Sequence, residues 1–382
     1  MLKEIEIKEI IESANTGLDA IKRAPIVSYD SGIKCLRIQD VSQSKQYDDW
    51  GFCEVEERNF KRFQLRKNEI LIARTGASIG VNKFIEEDVN SVFNNGLIRI
   101  RTDEKKCLPK FLYYNFRTPY YNSFIESISG GTSTQPNMQI NALLSFEINL
   151  PPLPEQKSIT SILSSLDDKI DLLHRQNKTL EALAETLFRQ WFVEEAEEGW
   201  ETGKLGDYVQ FVKGKKPKEA LEEYSIGLAP QILIETFDTG KTLFSEPQNM
   251  VIANEKDILM VMDGASSGRA EIGFAGIVGS TIGLFKPISS FHYPLFIFYL
   301  LKARESHIRE HTTGSAIPHA DKALILNLDI QYPSIERVIA FENMAEIWFE
   351  KKKANRYQIR TLTRLRDALL PKLMSGEVRV TN

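Results

Sequence analysis

Long apolar runs, paired cysteines and an excess of positive charge are all missing from this sequence. None of its 382 residues lies in an apolar run that approaches the roughly 18 residues a membrane-spanning helix needs. The opening "MLKEIEIKEIIES" lacks the basic start and continuous apolar stretch of a signal peptide. Three cysteines, Cys35, Cys53 and Cys107, form no C-x-x-C pair and leave an odd count. That argues against a zinc knuckle or a disulfide framework and points to a reducing, cytoplasmic setting. Lys and Arg number 48 against 52 Asp and Glu, a net charge of −4. A protein that grips nucleic acid unaided is usually basic, so any DNA reader here works inside a larger assembly.

Catalytic signatures are absent too. An adenine methyltransferase needs an N-P-P-Y-like loop to hold a flipped base. In "NLPPLP" (149–154) Leu150 separates Asn149 from the prolines and no aromatic follows, so the stretch reads as a break ahead of a helix. There is no G-x-x-x-x-G-K-[ST] phosphate loop. "GASSGR" (264–269) and "GASIGV" (76–81) have the glycines of turns only. "HIREH" (307–311) fits the H-x-x-E-H pattern of some zinc peptidases. Its counterparts elsewhere in the chain, Phe124, Ser127 and Ile128, carry no such ligands. Its place looks core-facing, so it is read as incidental, and no metal site is expected.

What the sequence does contain is a long internal repeat. "EILIARTGASIG" (69–80) matches "DILMVMDGASSG" (257–268) at an offset of 188. Collinear pairs flank it: "IKEIIESANTG" with "LGDYVQFVKG", "CLRIQD" with "QILIET", "LPKFLYY" with "YPLFIFY", "GGTSTQP" with "TGSAIP", and "INLP" with "IQYP". Six pairs in one order indicate duplication. Each copy has a globular part, 1–150 and 199–332, mixing short β-branched runs and turn signals with helical stretches near 110–127 and 295–311. Each is expected to be a mixed α/β domain.

A helical part follows each, 151–198 and 333–382. The first shows a four-three seam of Ile159, Leu163, Leu166, Ile170, Leu173, Asn177, Leu180, Ala184, Leu187 and Trp191. Shifted by 182, the second gives Phe341, Ala345, Trp348, Lys352, Asn355, Ile359, Leu362, Arg366, Leu369 and Leu373. Helices of roughly 40 residues, about 60 Å long, cannot bury such seams alone. Residues 151–198 hold 5 basic and 10 acidic side chains, residues 333–382 hold 10 and 6. Opposite charge favours pairing with each other, with Asn177 fixing register. The fold expected is two similar globular domains separated by an antiparallel two-helix coiled coil, a dumbbell with pseudo-twofold symmetry.

"PPLPEQKSITSILSSLDDKIDLLHRQNKTLEALAETLFRQWF" (151–192), "GWETGKLGDYVQFVKGKKP" (199–217), "LRDALLPKLMSGEVRV" (365–380), the turn "LIARTGASIG" and the loop "GGTSTQPNM" carry a resemblance over essentially the whole chain. The chain resembles the specificity subunits of type I restriction-modification systems. The resemblance implies that each globular part is a target-recognition domain reading half of a bipartite site in double-stranded DNA. It implies that the helices set the spacing and dock two methyltransferase subunits, which restriction and translocase subunits then join. S-adenosylmethionine, ATP and Mg would belong to those partners, with no cofactor and no catalysis in this chain.

Exposed Lys, Arg, amide and hydroxyl side chains on turns are the candidates for DNA contact. In the first domain they are Lys61, Arg62, Arg66 and Lys67; Arg74, Thr75 and Ser78; and Thr132, Ser133, Thr134, Gln135 and Asn137. In the second they are Lys213, Lys215, Lys216 and Lys218; Ser266, Ser267 and Arg269; and Thr312, Thr313, Ser315 and His319. Apolar positions beyond one seam, Ile162, Leu183, Phe188, Trp348 and Leu365, are candidates for partner docking. Two other readings compete: an enzyme acting on nucleic acid itself, and a coiled-coil assembly protein with no DNA role.

Overall fold

The computed structural model describes every residue except 1, 2, 20, 130–136, 197, 198, 314–317, 333, 381 and 382. Two compact units divide the chain, Met1–Ile170 with Arg360–Asn382, and Asp171–Ile359. Each unit takes a globular part together with adjoining stretches of both long helices.

The first unit runs β1 (Lys3–Glu6), β2 (Ile11–Thr16), β3 (Ile26–Val27), β4 (Lys34–Leu36), α1 (Ile38–Ser42), β5 (Gly51–Cys53), α2 (Glu57–Phe63), β6 (Ile70–Ala73), β7 (Asn82–Phe84), β8 (Ser91–Phe93) and β9 (Leu97–Thr102). Then come α3 (Pro109–Asn115), α4 (Pro119–Ser129), α5 (Ile140–Leu144), β10 (Glu147–Leu150) and the start of α6 (Leu153–Arg189). An antiparallel sheet has the order β2-β9-β6-β7. A second sheet, β3-β5-β4-β8, includes the parallel pair β4 and β8. β1 pairs with β10, closing the domain beside α6.

The second unit repeats this plan with β11 (Glu201–Lys204), β12 (Val209–Lys213), β13 (Ala229–Ile232), α7 (Ile234–Thr239), β14 (Phe244–Ser245), β15 (Ile252–Ala253), β16 (Ile258–Val261), β17 (Ala270–Glu271), β18 (Gly276–Val278) and β19 (Ile282–Pro287). α8 (Pro294–Ala303), α9 (Glu305–Glu310), α10 (Lys322–Leu326), β20 (Asp329–Tyr332) and α11 (Ile335–Ser375) follow. Its sheets are β12-β19-β16-β17, β14-β13-β18-β15 with β13 and β18 parallel, and β11-β20. The duplication read from sequence is thus repeated in the order of the antiparallel sheet and in the three strands β5-β4-β8 and β14-β13-β18 of the other, whose outer strand is β3 beside β5 in one unit and β15 beside β18 in the other.

The strongest repeated motif forms the central strands. "ILIA" and "ILMV" are buried at every position. Strand periodicity sends alternate residues to opposite cores. Ile70 and Ile72 enter the aromatic core under α3, and Leu71 and Ala73 the core between the sheets. Ile258 and Met260 part from Leu259 in the same way. Beyond each strand the turn glycines Gly80 (φ +86°) and Gly268 (φ +88°) adopt left-handed backbone, which side-chain-bearing residues rarely do. A Cβ on Gly80 would also stand 3.0 Å from Ile125, and one on Gly268 2.9 Å from Ile308. These glycines seat the turn directly on α4 or α9.

The helical stretch expected near 110–127 is two helices. Thr118 precedes Pro119, and a residue before proline avoids helical backbone. The stretch near 295–311 divides at Arg304 instead.

The seam residues Ile159 and Leu163 share the first unit's core with Leu370, Leu373 and Met374. There Asp167 of α6 bridges Arg366 of α11 and Arg117 of the globular part, each at 2.9 Å. Burial opposes the charged carboxyl, yet the two guanidiniums and the Tyr114 hydroxyl hold it below the usual carboxylate range. In the second unit Glu181 of α6 bridges Lys352 of α11 at 2.6 Å and Lys302 of α8 at 3.0 Å. Burial would raise its pKa, but the two ammonium groups bring it down to about 2. Acidic α6 therefore makes the same kind of junction in each unit. Asn355, 1% exposed, donates to Asn177 Oδ1 at 2.9 Å. With Asn355 on Asn177 and Lys352 on Glu181, the helices run antiparallel.

One expectation about the helices fails. Phe188 is not an outward docking residue. It is 3% exposed and packs on Phe192, Phe296 and Phe341. A π turn over Gln190–Glu194 ends α6. Into that turn the buried line runs Ala184, Phe188 and Phe192, while Leu187 and Trp191 are only half-buried. An α-helix drifts from a strict 3.5-residue seam, and here the drift moves the seam by one residue. Trp348 is half-buried, whereas Ile162, Leu183 and Leu365 are exposed. Among the described residues, no helix is long and apolar enough to cross a membrane.

Candidate nucleic-acid interface

Each globular part carries one site built in the same way from the turn after its central strand and the loop before its last short helix. In the first unit Thr75 bridges Asn137, and Met138 N–H donates to Arg74 C=O at 2.8 Å. In the second Asp263 bridges His319, and Ala320 N–H donates to Met262 C=O at 2.8 Å. The sequence repeat aligns Arg74 with Met262 and Thr75 with Asp263. The stitching is therefore shared while the side chains differ.

In the first site Arg74 Nη2 donates to Asn137 Oδ1 at 2.8 Å, and Arg74 Nε is buried without a hydrogen-bond partner. Ser78 lies in the same turn, half-buried. Thr132, Ser133, Thr134 and Gln135 lie outside the described residues. Lys61, Arg62, Arg66 and Lys67 are exposed at the end of α2 and just beyond it, away from this turn in the chain. Lys61 pairs with Glu57 at 2.5 Å and Arg66 with Asp88 at 3.0 Å. The backbone N–H of Lys67 and the Arg66 guanidinium hold the Asp88 carboxyl below its ordinary range.

In the second site His319 Nδ1 meets Asp263 Oδ1 at 2.7 Å, and Lys213 Nζ stands 3.4 Å from Asp263 Oδ2. Lys215, Lys216 and Lys218 are exposed on the loop leaving β12. Thr313 exchanges backbone bonds with His319, and the Thr312 hydroxyl donates to Arg309 C=O. Ser315 lies outside the described residues, and Ser266 is half-buried.

Two candidates are corrected by their surroundings. Ser267 is 2% exposed, and its hydroxyl closes the turn on Gly264 C=O at 2.6 Å and Pro318 C=O at 2.9 Å. It holds the site together and offers nothing to a ligand. Arg269 is committed to Glu271 at 2.8 Å and Asp238 at 2.5 Å. "HIREH" is not core-facing either. Ile308 is its buried residue, while His307, Glu310 and His311 are exposed, and the two imidazole rings lie 4.4 Å apart at a tilt of 46°. Among the described residues, no group of three or more His, Cys, Asp or Glu side chains could hold a metal ion.

Sequence reading missed two features. Lys322, at the start of α10, sits 4.8 Å above the Phe211 ring, beside the second site. A cleft of about 770 Å³ in the first unit is lined by Lys22, Arg23, Tyr29 and Asn59. The adjacent Lys22-Arg23 pair was a visible signal, but its twin loop aligns too poorly to show recurrence.

Known proteins resemble this chain over nearly its whole length. The sequence model of the family described as type I restriction modification DNA specificity domain matches residues 3–182 and again 197–342. The type I restriction enzyme MjaIX specificity subunit of Methanocaldococcus jannaschii is 28% identical, over 99% of this chain and 94% of that protein. The HindI specificity subunit of Haemophilus influenzae is 23% identical over 82% of this chain and 87% of its own length. A crystal structure of the type I restriction-modification S subunit from M. genitalium superposes with a TM-score of 0.65 at 20% identity, covering 98% of this chain and 96% of that one. That likeness extends to the fold.

Proposed function

Because the chain belongs to the type I restriction-modification DNA specificity family, we propose that it is the non-catalytic DNA-reading subunit of a methyltransferase and restriction complex. Each globular domain reads one half of a bipartite site in double-stranded DNA. α6 and α11 fix the spacing between the halves, and their exposed apolar positions, Ile162, Leu183 and Leu365 among them, dock two methyltransferase subunits. Restriction and translocase subunits join that core. S-adenosylmethionine, ATP and Mg act on those partners.

The observation that carries this reading is the pair of equivalent turn-and-loop sites, one per domain, with the same backbone stitching and different polar side chains. Shared backbone with divergent exposed side chains is what two readers of different half-sites require. Net negative charge implies that the methyltransferase subunits supply much of the phosphate contact.

The test is to assemble the chain with its methyltransferase subunits and map the adenines they methylate. A motif of two short specified blocks separated by an unspecified spacer is expected. Methylation at a single continuous motif, or without sequence preference, overturns the proposal.

A further inference from the structure

We infer that the two domains read opposite hydrogen-bond edges of DNA at their equivalent positions: Asn137 offers donors to a keto base, and His319 offers an acceptor to an amino base. This rests on the reading of the chain as a DNA-specificity subunit and assigns the chemistry of each site.

The polarity follows from what holds each side chain. A guanidinium only donates, so the atom of Asn137 that meets Arg74 Nη2 at 2.8 Å is its carbonyl oxygen. That bond takes one lone pair of the amide oxygen and turns the oxygen toward Arg74. The exposed NH₂ group remains and can only donate. In the major groove, guanine O6 and thymine O4 accept such a bond, where adenine N6 and cytosine N4 only donate.

The second site inverts this. A carboxylate only accepts, and Asp263 is shared between Lys213 and His319. The ring nitrogen at 2.7 Å from Asp263 must therefore carry the proton, which fixes the Nδ1–H tautomer of the neutral ring. Nε2 is then an acceptor on a side chain that is half exposed. Cytosine N4 and adenine N6 are the groove donors it fits. Buried Ser267, bonded to Pro318 C=O, and the strand-like bonds between Thr313 and His319 fix the backbone of His319 that presents the ring.

Four variants of the full chain, each assembled with its methyltransferase subunits, test the assignment by selecting bound duplexes from a pool randomised in both half-sites. Asn137→Asp keeps the bond to Arg74 and turns the outward group into an acceptor. It should move one base pair of one half-site from a keto to an amino base, with a preference change of about tenfold. Asn137→Ala should make that base pair indifferent. His319→Arg donates to Asp263 and outward alike, and should reverse one base pair of the other half-site by a similar factor. His319→Gln can donate to Asp263 and keep its carbonyl outward, so it should retain the original base. The untouched half-site reports correct folding in every variant. If both half-sites stay selective and unchanged in Asn137→Asp and His319→Arg, the inference is overturned. If the unsubstituted complex selects no sequence at all, the reading beneath it falls instead.

Discussion

Asn177 shows how far one residue can be read and where reading stops. Its place on an apolar seam marks it as a register device, but nothing in the order of residues names its partner. The structure supplies Asn355, 1% exposed and bonded to it. Replacing Asn177 by Ala should cost about 1–2 kcal/mol, because an amide stays buried without its main acceptor. Replacing both by Leu should restore or raise stability while loosening register. Urea unfolding of the three proteins checks this, and a single substitution as stable as the parent would contradict it. Ser267 and Phe188 mark the opposite limit. A serine in a glycine-rich turn looks exposed, and a phenylalanine one place off a seam looks outward. Burial of each is decided by elements far away in the chain, Pro318 for the first and Phe296 and Phe341 for the second.

Elements carry the pH behaviour. Glu342 of α11 accepts the N–H groups of Leu295 and Phe296 at the start of α8, at 3.1 and 2.8 Å. Burial nevertheless raises its carboxyl from 4.5 to about 7, against the pull of those donors. Between those values the folded chain holds a proton the unfolded chain has lost, so this group makes stability fall as pH rises toward 7. Glu342→Gln should flatten that slope, measured by chemical unfolding at pH 5 and pH 8. Glu181 has the opposite sign. Its pKa is brought down to about 2, so its stabilisation is full above its ordinary value and disappears as pH falls toward 2. Glu181→Gln should lose roughly 1–2 kcal/mol at neutral pH and little near pH 2. Equal losses at both pH values would show that packing rather than charge is at stake. The strands and both long helices were legible because their periodicity is strong and occurs twice. The break at Pro119 had a local cause that could have been seen, but the π turn at Gln190–Glu194 had no such signal.

At the scale of the whole molecule, duplication does most of the explaining. Two antiparallel sheets of one order, two bridges at equivalent positions and two carboxylates of α6 each tied to a cation of α11 repeat one design with altered side chains. Charge could be read as pairing acidic with basic helix, though not which carboxylate meets which cation. Inserting one heptad at matched places in both helices adds about 10 Å of rise, close to three base pairs of B-DNA. The spacer of the methylated site should lengthen by about that much with both halves kept, as mapping of methylated adenines would show. The most direct test of the central claim replaces residues 1–150 by the corresponding domain of a specificity subunit with a different target, in the assembled complex, and maps methylation again. One half of the motif should change and the other should stay as it was, whereas a change in both halves, or in neither, would contradict independent reading by two domains.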